Sequence, residues 1–191
     1  MNTQGNSPFI IFITGASGAG KTTLLRALSL ALPSSSCVCL HFDSIGVPSE
    51  KAMIEQYGSP SAWQKAMTER WVAKLTNDYP DRQLVILEGQ VNLTFIVAAF
   101  QKVNFTHYKI ILADCDTAVR HQRLQQHRQQ PELVNETMDN WSRFLKTQAV
   151  DMQATILDTS HFSVDEMIDW FKHYLFEMDI DVRQNFTPSK P

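Results

Sequence analysis

The sequence predicts an α/β fold in which a five-stranded parallel sheet is sandwiched between helices. Strand-like and helix-like segments alternate from one end of the chain to the other. The strands are short and apolar nearly throughout, the pattern of strands covered on both faces. Between the first strand and the first helix lies the octet GASGAGKT (15–22), which fits the phosphate-loop template G-x-x-x-x-G-K-[ST].

In order, FIIFIT (9–14) reads as the first strand, and the glycine loop runs into a helix that begins near Lys21, continues through TLLRALSLAL (23–32) and is closed by Pro33. CVCLHF (37–42) is the second strand. Helices follow over 49–57 and from Ser61 to Asn77. In the latter, Ser61 and Gln64 form a capping-box pattern, and Trp63, Met67, Trp71 and Leu75 recur at helical spacing. LVILE (84–88) is the third strand, 92–101 a helix, and YKIILAD (108–114) the fourth strand. A polar helix runs from Asp116 to about Gln130, where Pro131 breaks it, and another spans 136–153. TILDTS (155–160) is the fifth strand, and Ser163 with Glu166 caps a last helix carrying Ile168, Phe171, Tyr174 and Leu175. The 191 residues form a single domain, 1–191, with loosely held ends at 1–7 and 180–191.

Composition excludes several function classes. No apolar run approaches the roughly 20 residues that cross a bilayer, and the polar MNTQGNSP start has no signal-peptide pattern, so a cytoplasmic protein is expected. The formal net charge of −3, with no two adjacent Lys or Arg residues, argues against nucleic acid as partner. The three cysteines lack metal-site spacing, and Cys37 and Cys39 read as fillers on one face of a strand.

The octet dictates its own chemistry. Gly15, Gly18 and Gly20 let the backbone of residues 15–20, with Ala16, Ser17 and Ala19 between them, curl into a nest of inward N–H groups. The helix start adds its positive end, Lys21 reaches the β- and γ-phosphates, the Thr22 hydroxyl ligates Mg²⁺, and Thr23 flanks the nucleotide. Nucleotide binding is therefore expected, with ATP and Mg²⁺ as the cofactors. Glu88, ending the third strand, suits a carboxylate that supports the metal through water. Asp43, after the second strand, can orient the proton of an attacking hydroxyl and also contact metal-bound water. Asp43-Ser44-Ile45-Gly46 also reads D-x-x-G, as in GTPases, but no N-K-x-D guanine-reading motif accompanies it. Arg120, Arg123 and Arg128, interleaved with His121 and His127 ahead of Pro131, offer guanidiniums that can stabilise a transferring phosphoryl group or stack on adenine. On the acceptor side, residues 44–83 bring Trp63, Trp71 and Arg70, with a core stripe as the plainer reading of the tryptophans. Gln90 and Asn92 follow Glu88 as neutral hydrogen-bonding groups for acceptor hydroxyls.

With these residues in place, the chain over 9–177 resembles the phosphate-loop small-molecule kinases of the nucleoside-monophosphate-kinase-like class. That group includes adenylate, shikimate and gluconate kinases, chloramphenicol phosphotransferase and the zeta toxins. The resemblance rests on GASGAGKT, on Asp43, on ILEG (86–89), on the arginine-rich segment before PEL and on TILDTS with its helix. It implies strand order 2-3-1-4-5, a lid over 116–135, and an acceptor-binding insertion over 44–83. It also implies that Arg120 stacks near adenine, that Arg128 reaches the transferring phosphate, that Arg123 takes either role, and that the loop after TILDTS closes the adenine pocket. The lid lacks a cysteine cluster, and E-G-Q-V-N stands where adenylate kinases carry D-G-F-P-R. The expected activity is ATP-dependent phosphorylation of a hydroxyl or phosphate on a small-molecule acceptor. The alternatives are a polynucleotide 5′-end kinase and a nucleotide-dependent regulatory or toxin-like module.

Overall fold

Residues 7–180 are described by a computed structural model, and the ends expected to be loose lie outside them except for Ser7 and Ile180. Five strands, β1 (Phe9–Thr14), β2 (Cys37–His41), β3 (Leu84–Glu88), β4 (Tyr108–Asp114) and β5 (Thr155–Asp158), form one sheet in the order β2-β3-β1-β4-β5. Every neighbouring pair is parallel. The sheet therefore has the expected 2-3-1-4-5 order.

Alternation along the strands divides the core into two layers. Ile10, Phe12, Val85, Leu87, Ile110 and Leu112 face one side. There they meet α3 (Pro60–Asn77), α4 (Leu93–Lys102) and α6 (Glu136–Asp151) through Trp71, Phe100 and Leu145. Phe9, Ile11, Ile13, Leu84 and Ile86 face the other side, where Leu24, Leu28 and Phe171 of α1 (Lys21–Ala31) and α7 (Val164–Glu177) cover them. This two-sided burial explains why the strands read as continuous apolar runs. Cys37 and Cys39 share the α1 face, and burial pushes the Cys39 thiol up to about 12. No helix among the described residues is long and apolar enough to cross a membrane.

Four local expectations are corrected. β2 stops at His41 rather than 42, because Phe42–Ile45 tightens into a 3₁₀ turn. The cap of α3 is Ser59 rather than Ser61: its side chain accepts from Ala62 N at 3.1 Å, with Pro60 at the first helical position. β5 ends at Asp158, whose carboxylate accepts from Ser160 N at 2.8 Å and turns the chain away from the sheet. The polar helix after β4 is not continuous. It is α5 (Thr117–Gln122), then a π turn over Arg123–His127, then a short 3₁₀ turn over Pro131–Leu133.

The α3 tryptophans belong to the core, Trp63 at 7% and Trp71 at 3% exposure, and they hold the turn that follows β2. Phe42 packs between them, with ring centroids 6.3 Å from Trp63 and 6.4 Å from Trp71. Trp71 Nε1 donates to Phe42 O at 3.0 Å, a buried bond. Behind Phe42 lies Gly89, where an added Cβ would come within 2.5 Å of the Phe42 Cβ. Trp71→Phe keeps most of the ring and strands that carbonyl, so it should cost about 1–3 kcal/mol. Urea unfolding should show a lower midpoint at an unchanged slope.

Candidate active site

The loop between β1 and α1 folds as the phosphate-loop template requires. Gly18 and Gly20 take φ of 86° and 88°, in the left-handed region open to glycine. Gly18 is also packed from below: an added Cβ would come within 2.9 Å of Arg120 Cγ. Ala16 O accepts from Ala19 N at 3.2 Å and from Lys21 Nζ at 3.0 Å, so the ammonium closes the loop on itself. Burial lowers Lys21 to about 8, with Glu88 raising it, Arg128 lowering it and Asp43 raising it. An enclosed, under-compensated ammonium is suited to receive anionic oxygens.

Next to Lys21, the Thr22 hydroxyl donates to Glu88 Oε1 at 3.3 Å, and the same oxygen lies 2.7 Å from His41 Nδ1. His41 and Glu88 are register partners at the ends of β2 and β3, which is why they meet across 47 residues. Asp43 sits two residues on in the 3₁₀ turn, exposed, with its backbone O accepting from Gly46 N. This pair of the Thr22 hydroxyl and the Glu88 carboxylate is all hard oxygen. It fits a Mg²⁺ that keeps several waters and completes its shell from nucleotide phosphates.

A cavity of about 440 Å³ opens beside the loop. Gly18, Gly20, Lys21, Thr22 and Thr23 line one wall, Arg123, His127 and Arg128 a second, and Thr159, Phe162 and Val164 a third. The π turn makes the second wall possible. Its i→i+5 bond, Arg128 N to Arg123 O at 3.0 Å, stacks residue 128 over residue 123. Arg123 also donates to Thr159 Oγ1 at 2.9 Å and to Thr159 O at 2.6 Å. Thr159, fully buried, has its hydroxyl 3.0 Å from Ala19 O, and so ties the loop after β5 to the phosphate loop.

Arg120, expected beside adenine, lies elsewhere. It is 1% exposed, its guanidinium pairs with Asp139 of α6, and it is not part of the cavity wall. His121 Nε2 reaches the same Asp139 oxygen at 2.9 Å, so α5 is fastened to α6. The reason is local: Arg120 lies in α5, beneath Gly18, and the π turn begins only at Arg123.

The expected acceptor residues fall into different places. Gln90 is half-buried against the phosphate loop, its Oε1 accepting from Ser17 Oγ at 3.0 Å. Asn92 is the cap of α4, its Oδ1 accepting from Thr94 N at 2.9 Å and from Gln148 Nε2 at 2.9 Å. Arg70 is exposed on α3, one helical turn before Lys74. Gln64, the expected capping-box partner, instead donates to Gln90 O at 3.0 Å and accepts from Asn92 N at 3.1 Å. It pins the β3 exit to α3. His41, Gln64, Gln148 and Thr159 were not singled out as site residues from the sequence. Each acts through a partner dozens of residues away, a relation that no local motif encodes.

A glycine nest with Lys21 and Thr22, set on a parallel 2-3-1-4-5 sheet, defines a phosphate-loop protein with the core of the phosphate-loop kinases. More particularly, the chain belongs to the AAA domain family, which residues 11–140 match. Comparison with curated proteins finds no match. Among solved structures, the chain is similar to the shikimate kinase from Acinetobacter baumannii in complex with shikimate, at 14% identity and TM-score 0.58, covering 92% of this chain and 97% of that one. It is similar to the tunicamycin resistance protein of Deinococcus radiodurans at 15% identity and TM-score 0.61, covering 92% and 97%. It is also similar to the deoxyadenosine kinase from M. mycoides with products dCMP and dCDP bound, at 13% identity and TM-score 0.52, covering 88% and 99%. At these identities the likeness is one of fold.

Proposed function

We propose that the protein is an ATP- and Mg²⁺-dependent kinase that transfers the γ-phosphoryl group to a hydroxyl or phosphate of a small molecule. One observation carries this reading: Arg123, His127 and Arg128 line the same cavity as Lys21 and Thr22. Cations from two elements lining one phosphate cradle suit a transition state whose charge spreads over the transferring oxygens.

In this reading the phosphates lie in the Gly15–Gly20 nest, with Thr23 at its edge and Lys21 released from Ala16 O to bridge the β- and γ-oxygens. Adenine fits the apolar end of the cavity, between Phe162 and Val164 on one side and Arg123 on the other, which takes over the stacking role first expected of Arg120. Thr22, with Glu88 and Asp43 through water, would hold Mg²⁺, which would supply charge neutralisation for the phosphates. The acceptor approaches from the β2–β3 side, over Gln90, with the 44–83 insertion above it. Asp43 orients the acceptor proton as the acceptor oxygen bonds to the γ-phosphorus and the bond to the ADP oxygen breaks. Arg128 follows the moving group. Arg70 and Asn92 stand further back, Arg70 on the α3 surface and Asn92 as a cap that holds the β3 exit in place. Residues 116–135 act as the lid and 1–191 as one domain, in the cytoplasm.

The test is ADP formation from ATP against a panel of nucleosides, nucleotides, sugars, sugar acids and aminoglycosides, with an oligonucleotide 5′ end as a further arm. The expected result is turnover stimulated at least tenfold over the acceptor-free rate by one small-molecule class. Tight ATP binding with no transfer to any of them would instead support the regulatory reading, and oligonucleotide-stimulated turnover the end-kinase reading.

A further inference from the structure

We infer that His41 is a positioning residue for the metal side of the site: it locks the Glu88 carboxylate so that Thr22 and Glu88 are set for a divalent cation before nucleotide arrives. This rests on the kinase reading only for the identity of that cation. The geometry is specific. Glu88 is 7% exposed at the end of a central strand, where an ionised carboxylate needs donors. Two converge on one oxygen, Oε1: the Thr22 hydroxyl at 3.3 Å and His41 Nδ1 at 2.7 Å.

An ionised carboxylate can only accept, so Nδ1 carries the proton in this contact. The second carboxylate oxygen is then left for the water shell of a metal. The same logic fixes Thr22. Its hydroxyl proton is spent on Glu88, so its lone pairs point away from the carboxylate and are free to ligate. His41 therefore orders Glu88, and Glu88 orders the Thr22 oxygen. Outer partners of this kind hold metal ligands in their binding orientation, and removing one typically lowers metal affinity by about 10- to 100-fold.

Sheet register makes the arrangement rigid. His41 is paired with Glu88 across β2 and β3, and Ile13, which leads into the phosphate loop, is paired with Glu88 on the other side. The imidazole is 44% exposed, so its replacement removes a hydrogen bond and little core packing. A bare strand-end contact would matter only to the fold, whereas a positioning role has a metal-specific signature.

The experiment measures binding of the non-hydrolysable analogue β,γ-imido-ATP by calorimetry, with Mg²⁺ and with EDTA, so it needs no acceptor and no turnover. In His41→Phe, affinity with Mg²⁺ should fall about tenfold, and affinity in EDTA should stay within about twofold of wild type. His41→Asn, which can still donate to Glu88, should recover part of the loss. His41→Phe added to Glu88→Gln should weaken Mg²⁺-dependent binding no further than Glu88→Gln alone, because the two act as one unit. An equal loss in Mg²⁺ and EDTA, no loss at all, additive losses, or a wild-type affinity indifferent to Mg²⁺ would each overturn the assignment. Failure of the kinase reading shows separately, as absence of transfer in the acceptor panel.

Discussion

Lys21→Met should abolish phosphoryl transfer, lowering kcat/KM on the order of a thousandfold, the scale of losing a charged donor at a transferring group. The same substitution should make the nucleotide-free protein more stable. Burial lowers the Lys21 ammonium from 10.5 to about 8, so folding disfavours its charged form. By linkage that displacement amounts to about 3 kcal/mol. The unfolded chain holds the proton up to about 10.5 and the folded one only to about 8, so stability rises with pH between those values. The penalty is complete below about 8 and gone above about 10.5. Methionine never incurs it. Thermal melts without nucleotide should therefore place Lys21→Met several degrees above wild type at pH 7, and the gap should narrow as pH rises through 9 and 10. A variant that melts below wild type at pH 7 would contradict this account. Saturating ATP should narrow the gap at pH 7, because phosphate supplies the charge partner that the loop lacks.

Asp43→Asn should separate binding from chemistry. The side chain is exposed in the turn after β2, and the turn is held by Trp71 and Phe42 rather than by the carboxylate. Folding and affinity for β,γ-imido-ATP in EDTA should therefore stay within about twofold of wild type, while acceptor-dependent turnover falls by about 10²- to 10⁴-fold. Single-turnover kinetics with the stimulating acceptor would assign the loss to the transfer step. Turnover equal to wild type would remove Asp43 from the mechanism.

The layered core was readable because β1 and β3 to β5 are short and apolar, and the helices carry apolar stripes at their own period. The phosphate loop was readable because its groups are contiguous and its template is a backbone requirement. The tryptophan stripe of α3 resolved into core, yet Trp71 and Phe42 are what position Asp43. What escaped is set by contacts across the chain. Strand register brings His41 to Glu88, and Gln64 finds its partners in the β3 exit rather than at its own helix end. The arginine segment was legible as chemistry and not as geometry. A regular helix drawn through 116–130 spreads its arginines around the axis. The observed π turn gathers Arg123 and Arg128 on one side and leaves Arg120 for Asp139.

That π turn makes this wall of the cavity sensitive to chain length rather than to residue identity. Gln125 and Gln126 point outward and are exposed, so either could be exchanged for many residues at little cost. Deleting one of them is another matter. An α-helix turns about 100° per residue, so losing one residue while relaxing the wide turn to a regular one swings Arg128 and everything after it about the axis. Gln129, at φ 52°, would then no longer meet the turn it closes. Positions 125 and 126 can change freely in kind, but a single-residue gap there re-aims Arg128 and the chain that follows it.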